Sequence, residues 1–299
     1  MGYSTRFIVT QSLGRTQLDQ VATQAGFEIV DGAKSLINIT SRKTDLGGVN
    51  TVADSVMFDG LMEIMKNQSD DTPFFIGLYN YETHNGVKLF DNHASYMGTS
   101  EHSIEPNFIL DTFHNYDRQF GRFWNYFKNS KWVDNTVVIL TSDHATFPSK
   151  QFINMLNQAK VSNFSSIFVD EIPFLIYHPD LALQSEYDAN KSTSVDFAPT
   201  LLNLIGYNKY EAPFLGDSIF SQRTKSPLQN MTGSGTRGWF KNVSYGNWLN
   251  VSEGNYESLQ ETHPLKVTQW KFIRYTESLE RANRLVPKEE IIGESVSYE

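Results

Sequence analysis

Apolar positions along the chain follow two periods in alternation, one suited to strands and one to helices. Thr5 to Thr10 is a short β-rich run. In Thr16 to Ala25, Leu18, Val21 and Ala22 fall on one helical face before Gly26, a residue that ends helices. Val52 to Lys66 places Val56, Met57, Leu61, Ile64 and Met65 at helical spacing, and a polar break, Asn67 to Pro73, leads into the apolar run Phe74 to Tyr79. The spacing predicts a further helix over Leu110 to Lys128, where Phe113, Tyr116, Phe120, Phe123, Trp124 and Phe127 recur every three or four residues. This aromatic stripe is expected to be core, with His114 packed in the same helix. Thr136 to Thr141 reads as a strand buried on both faces of a parallel sheet. Ile172 to Tyr177 reads as another strand, and Asp196 to Ile205 as a helix with Pro199 near its first turn and Gly206 as its stop.

The rhythm fades after about residue 220. Ser221 to Gly254 is rich in Gly, Ser, Asn and Thr, Val267 to Tyr275 has strand character, and Leu279 to Leu285 suggests a short helix. Alternating strands and helices imply an α/β fold with a mostly parallel sheet flanked by helices. The expected division is an α/β domain over residues 1–220 and a peripheral carboxyl-terminal α+β subdomain over residues 221–299.

Charge and composition narrow the function. The 299 residues carry a net charge of −9, which argues against a nucleic-acid partner, since phosphate backbones select basic faces. An anionic substrate would therefore need local positive charge, such as a metal ion. No apolar run of about 18 residues is present to span a bilayer as a helix. Met1 to Ile8 lacks the pattern of a signal peptide. The absence of cysteine excludes disulfides and thiolate metal sites.

In open α/β sheets ligands bind beyond the carboxyl ends of the strands, and two segments reach such a position with suitable side chains. Asp143-His144 follows the strand ending at Thr141, and an oxygen beside an imidazole can coordinate one divalent metal. A turn or helix-capping aspartate next to a solvated histidine would look the same in sequence. Glu82-Thr83-His84-Asn85-Gly86 follows the strand ending at Tyr79, where His84 could donate a hydrogen bond to a phosphoryl or sulfuryl oxygen, or simply lie on a surface loop. His93, His102 and His114 are isolated further ligand candidates, and Glu101 and Glu105 are acid–base candidates on a loop. No glycine-rich phosphate loop, G-x-S-x-G elbow or H-E-x-x-H motif occurs. Asn-x-Ser/Thr sequons at Asn38, Asn163 and Asn242 are of a kind that an Asn-rich chain produces by chance.

Read in order, the segments resemble the sulfatase/alkaline-phosphatase superfamily, and most closely its lipoteichoic acid synthase-like phosphoglycerol transferases and related phosphoethanolamine transferases. Gly2-Tyr3-Ser4-Thr5 is similar to the family's G-Y-x-T strand entry, and Gly26-Phe27-Glu28 to its G-F-x step. Pro73-Phe74-Phe75 leading to Thr83-His84 resembles the strand that ends in T-H. Asp134-Asn135-Thr136-Val137-Val138 through Ser142-Asp143-His144 resembles the D-N-T-x-V strand and S-D-H metal motif. Ile172-Pro173-Phe174-Leu175-Ile176-Tyr177 is similar to v-P-F-i-I, Asp196 to Leu202 to D-x-x-P-T-L-L, and Gly216 to Phe220 to G-x-S-I-F. No motif covers the chain beyond about residue 225.

The resemblance implies that Asp143 and His144 bind the catalytic divalent metal and that His84 contacts the substrate's phosphate. Asp-His places the chain with phosphoryl-transfer members, and imidazole suits Mn²⁺ or Zn²⁺ better than Ca²⁺; the expected ion is Mn²⁺, with Zn²⁺ or Mg²⁺ as alternatives. In the family a Thr or Ser nucleophile and a first acidic metal ligand precede the G-Y-x-T strand. By the resemblance, then, the amino-terminal part of an alkaline-phosphatase-like fold, with any membrane-spanning helices, belongs upstream of these residues. Thr5, Thr10, Ser12 and Thr16 fall after the family's nucleophile helix. The implied activity is phosphoglycerol or phosphoethanolamine transfer, or phosphodiester hydrolysis, on an anionic phospholipid or glycan at the extracytoplasmic face of the cell envelope. A sulfuric ester hydrolase is one alternative, and a non-catalytic pseudoenzyme that binds an anionic glycan or lipid head group is another. Without its first strand, the isolated chain is expected to be marginally stable and inactive.

Overall fold

The computed structural model of the chain describes residues 2–14, 17–42, 50–84, 104–145, 150–158, 160, 171–189, 192–207, 214, 216–221, 231–234, 239–242 and 249–282. Two compact units emerge, one formed by residues 1–136 and 146–166, the other by residues 137–145 and 167–299.

The first unit contains a parallel sheet flanked by helices. Strand β1 (Ser4–Val9) lies between β2 (Ile29–Asp31) and β3 (Phe74–Tyr79), parallel to both, with Val9 opposite Tyr79 at the carboxyl ends. Helix α1 (Leu18–Gln24) ends before Gly26, whose φ of +97° is a left-handed conformation that suits glycine. Helix α2 (Ala33–Thr40) packs on α3 (Asp54–Lys66), and Gly60 permits their approach, since a Cβ there would sit 2.7 Å from Leu36 Cδ2. Val56, Met57, Leu61, Ile64 and Met65 of α3 are all buried, as their spacing predicts.

Helix α4 (Ile104–Lys128) packs on α3 and contacts α5 (Lys150–Gln158). Phe123 and Phe127 are core, and Phe58 of α3 meets Tyr116, Phe120 and Phe123 at 5.6, 6.3 and 5.9 Å between ring centres. The stripe is wider than the buried face: Phe113 is exposed, and so is His114, contrary to the expected packing of that histidine. Trp132 closes this core, donating its indole N–H to the Met65 carbonyl at 2.9 Å.

In the second unit β4 (Val138–Thr141) pairs with β5 (Phe174–Tyr177), and the pairing is antiparallel rather than the parallel arrangement expected for a doubly buried strand. Val138, Ile139 and Leu140 are accordingly only partly buried. Helix α6 (Phe197–Leu204) follows a 3₁₀ turn over Ser194–Asp196. A meander of β6 (Met231–Ser234), β7 (Trp239–Asn242) and β8 (Leu249–Asn250) precedes α7 (Tyr256–Leu259) and α8 (Pro264–Arg281). Val267 to Tyr275 is therefore helix, not strand. Its β-branched and aromatic residues mislead, while Val267, Trp270 and Ile273 recur at three-residue intervals and pack with Val251, Leu249, Tyr256 and Leu259. Pro264 stands at the first helical position, where its missing N–H costs nothing.

Candidate active site

The quoted motifs divide into those that lock the fold and those that present side chains for chemistry. Thr5 donates its hydroxyl to the Gly26 carbonyl at 3.1 Å and accepts the Glu28 N–H at 3.0 Å, while Glu28 Oε2 accepts the Thr5 N–H at 3.2 Å. The G-Y-x-T entry and the G-F-x step thus fasten β1 to the start of β2, and Phe27 fills the gap between Phe7 and Phe75. The D-x-x-P-T-L-L and G-x-S-I-F segments are paired in the same way. Asp196 Oδ1 accepts the Asp217 N–H at 2.9 Å, and Thr200 Oγ1 accepts the Ile219 N–H at 3.0 Å. Asp196 and Thr200 are buried. Gly216 lies so close to the Val195 carbonyl that a Cβ would stand 2.2 Å from its oxygen.

The S-D-H turn after β4 is different in kind. Ser142 donates its hydroxyl to the His144 carbonyl at 2.6 Å, and His144 Nδ1 lies 2.7 Å from the Ala145 carbonyl, which fixes that nitrogen as the protonated one. The lone pair of the neutral ring is then on Nε2, 3.6 Å from Asp143 Oδ2. This is how a metal-binding histidine is oriented, its second nitrogen spent on a carbonyl. The separation is within reach of two donors sharing one ion with bonds of about 2.0–2.2 Å. His144 is 35% and Asp143 50% exposed, so both are accessible to an ion. The chemistry of this donor set fits a divalent metal, although among the described residues no three His, Asp or Glu side chains gather into a complete site.

His84 belongs to the first unit, at the end of the turn after β3. Its N–H is donated to the Tyr81 carbonyl at 3.1 Å, and its ring stacks on the Tyr81 ring with centres 4.6 Å apart and planes within 16°. Behind it lies a buried polar network. Glu82, fully buried, accepts the Asp54 N–H at 2.8 Å and an Asn115 side-chain N–H at 3.2 Å, both on Oε2. Asn80 donates to Asp54 Oδ2 at 2.9 Å and to Thr83 Oγ1 at 3.1 Å. From Asn115 the chain of bonds continues through Gln119 and Arg122 to Asp59, which also receives Arg42. Burial and the nearby Asp54 carboxylate push the Tyr116 phenol up to about 12.

Sequence reasoning singled out His84 but not Asp54, Asn80 or Asn115. Asp54 alone had a signal, an acidic residue opening an apolar helix; Asn115 meets Glu82 across 33 positions that no local pattern connects. Of the hydroxyls near the amino terminus, Thr5 is engaged as described. Thr10 is fully buried, and neither its hydroxyl nor the buried Ser12 hydroxyl has a hydrogen-bond partner among the described residues. Thr16, His93, Glu101, His102 and the Glu105 side chain lie outside the described residues.

A sulfatase family model matches residues 1–207. Among solved structures the chain is similar to the lipoteichoic acid synthase LtaP from Listeria monocytogenes, with 17% identity and a TM-score of 0.68 over 91% of this chain and 70% of that one. It is also similar to a protein of the alkaline phosphatase superfamily from Vibrio parahaemolyticus, with 18% identity and a TM-score of 0.62 over 96% of this chain and 67% of that one. A third similar structure is Ps i-CgsB in complex with k-i-k-neocarrahexaose, at 13% identity and a TM-score of 0.50, covering 96% of this chain and 77% of that one. No curated protein sequence matches. The matched span, more than two thirds of the chain, and the shared α/β fold agree with the ordered motifs: the chain belongs to the sulfatase family.

Proposed function

We propose that the chain is part of a divalent-metal-dependent phosphoryl transferase, moving phosphoglycerol or phosphoethanolamine, or cleaving a phosphodiester. Its substrate would be an anionic phospholipid or glycan at the extracytoplasmic face of the cell envelope. The observation that carries the reading is the S-D-H turn, where the Ala145 carbonyl holds the His144 proton on Nδ1 and leaves Nε2 beside Asp143 Oδ2. The fold similarity to LtaP is compatible with the transferase reading. No helix among the described residues is long and apolar enough to cross a membrane.

Asp143 and His144 would hold a divalent ion, Mn²⁺ in this reading, which when bound would supply a Lewis acid for charge developing on phosphoryl oxygens. Zn²⁺ and Mg²⁺ are alternatives. His84 serves as a hydrogen-bond donor to a non-bridging phosphoryl oxygen, with its ring held flat against Tyr81. No nucleophile is assigned to the described hydroxyls, because Thr5 is committed to structural hydrogen bonds and Thr10 has no exposed surface.

Titration of the protein with Mn²⁺, followed by calorimetry, tests the assignment. His144→Ala and Asp143→Asn should each weaken binding by at least about tenfold, the scale at which even outer-shell changes act. Equal Mn²⁺ affinity in wild type and both variants would remove the metal assignment. Release of phosphate or p-nitrophenol from phosphodiesters, compared with release from p-nitrophenyl sulfate, separates phosphoryl from sulfuryl chemistry.

A further inference from the structure

Helix α3 begins without a cap of its own. Its N-cap residue is Ala53, which has no side-chain acceptor, so the first N–H of this 13-residue helix, that of Asp54, needs an acceptor from elsewhere in the protein interior. The Glu82 carboxylate fills that role from the turn after β3, 28 residues away, by accepting the Asp54 N–H. A carboxylate is also the favoured charge at the positive end of the helix dipole. Asn115 of α4 holds the same oxygen, so Glu82 is tied to two helices at once. Asn80 makes a second tie, joining Asp54 to Thr83. His84 follows immediately, its N–H on Tyr81 and its ring on the Tyr81 ring.

The helix terminus is thus occupied by the protein's own carboxylate and offers no anion site. Its function is mechanical. We propose that Glu82 is the positioning residue for His84: by capping α3 in trans it sets the main-chain path of the turn and thereby the place and tilt of the imidazole. The inference deepens the proposed function and rests on it for the role of His84, but the geometry it describes is independent of any reaction. Burial of a glutamate is costly without donors of this kind, and Oε2 receives two of them. An apolar residue would fill the same space but could not accept from the end of α3.

The test is the imidazole ¹H–¹³C spectrum of protein labelled at its seven histidines, with the His84 signal identified by its loss in His84→Gln. In the wild type the stacked Tyr81 ring shifts that signal upfield. Glu82→Ala should abolish the upfield shift, whereas the signal of His178, held by the Leu204 carbonyl and by the Asp180 and Leu181 N–H groups in the other unit, stays in place. Glu82→Gln keeps a carbonyl oxygen able to accept from both Asp54 and Asn115 and should restore the wild-type position. An unmoved His84 signal in folded Glu82→Ala overturns the proposal, as does a Glu82→Gln signal displaced as far as that of the alanine variant. If Glu82→Ala does not fold, Glu82→Asp carries the test, its carboxylate being one methylene short of the Asp54 N–H, with the same loss expected and an unmoved signal again decisive against the proposal. Failure of the functional reading would be seen separately, as inorganic phosphate leaving the wild-type His84 signal unperturbed while the effects of the variants persist.

Discussion

The two turns that present candidate chemistry are built in opposite ways. The T-H turn after β3 is held from behind by a buried network that reaches α3 and α4, through contacts spanning 26 to 33 residues. The S-D-H turn after β4 is held by the Ser142 hydroxyl and the His144 imidazole, each bonded to a carbonyl no more than two residues away, and its carboxylate is half exposed. A donor that must meet a developing charge at one place gains from rigid preorganisation. A metal ligand can be local and open, because the ion itself completes the geometry when it binds. The contrast is between turns, not units: the second unit also contains a buried lock, where Asp196 and Thr200 fasten the G-x-S-I-F segment.

The largest expected effect that would break this contrast is at Glu82. Glu82→Ala leaves the Asp54 N–H and the Asn115 amide without their acceptor, at roughly 1–3 kcal/mol for each buried donor. A total near 3 kcal/mol in urea unfolding is the expected loss, and a loss under about 1 kcal/mol would mean that the network is not rigid support. Gly216→Ala sets a Cβ against the Val195 carbonyl oxygen, and about 2 kcal/mol of destabilisation is expected from such overpacking. A neutral Gly216→Ala would show that the second lock can yield.

The pH dependence sharpens the picture of the first unit. Tyr116 has its folded pKa pushed up to about 12 from the ordinary value of 10.0, so the folded state keeps a proton that the unfolded chain gives up. Its contribution is fully present below pH 10 and is lost progressively as pH rises from there through about 12. Tyr116→Phe should flatten that alkaline decline, as followed by denaturation at fixed pH values. The smallest effect belongs to the open turn: Ser142→Ala removes one local hydrogen bond and should cost less than about 1 kcal/mol. A cost comparable to that of Glu82→Ala would erase the distinction between the turns.

Periodicity alone located β1, α3, β3, α4, β5 and α6 to within a few residues at most ends, because each buries a face whose spacing matches its own repeat. It failed where composition and period disagreed. Val267 to Tyr275 is rich in strand-favouring side chains, yet Pro264 and the three-residue recurrence of Val267, Trp270 and Ile273 are the features its packing obeys. It failed also at β4, since a run of Val, Ile and Leu is compatible with either strand direction. The short β2 and α2 were not anticipated, three and eight residues being too few for a period to emerge.

By itself, then, the sequence determined the order of the longer elements before residue 206, the family through its serial motifs, and the adjacency of Asp143 and His144, since neighbours in the chain stay neighbours in any fold. The tertiary structure alone decided that Thr5 locks to Glu28, Asp196 to Asp217, and Glu82 to Asp54 and Asn115. Those bonds join residues 21 to 33 positions apart. They form only after packing has brought strand ends and helix termini together and excluded the water that would otherwise satisfy them.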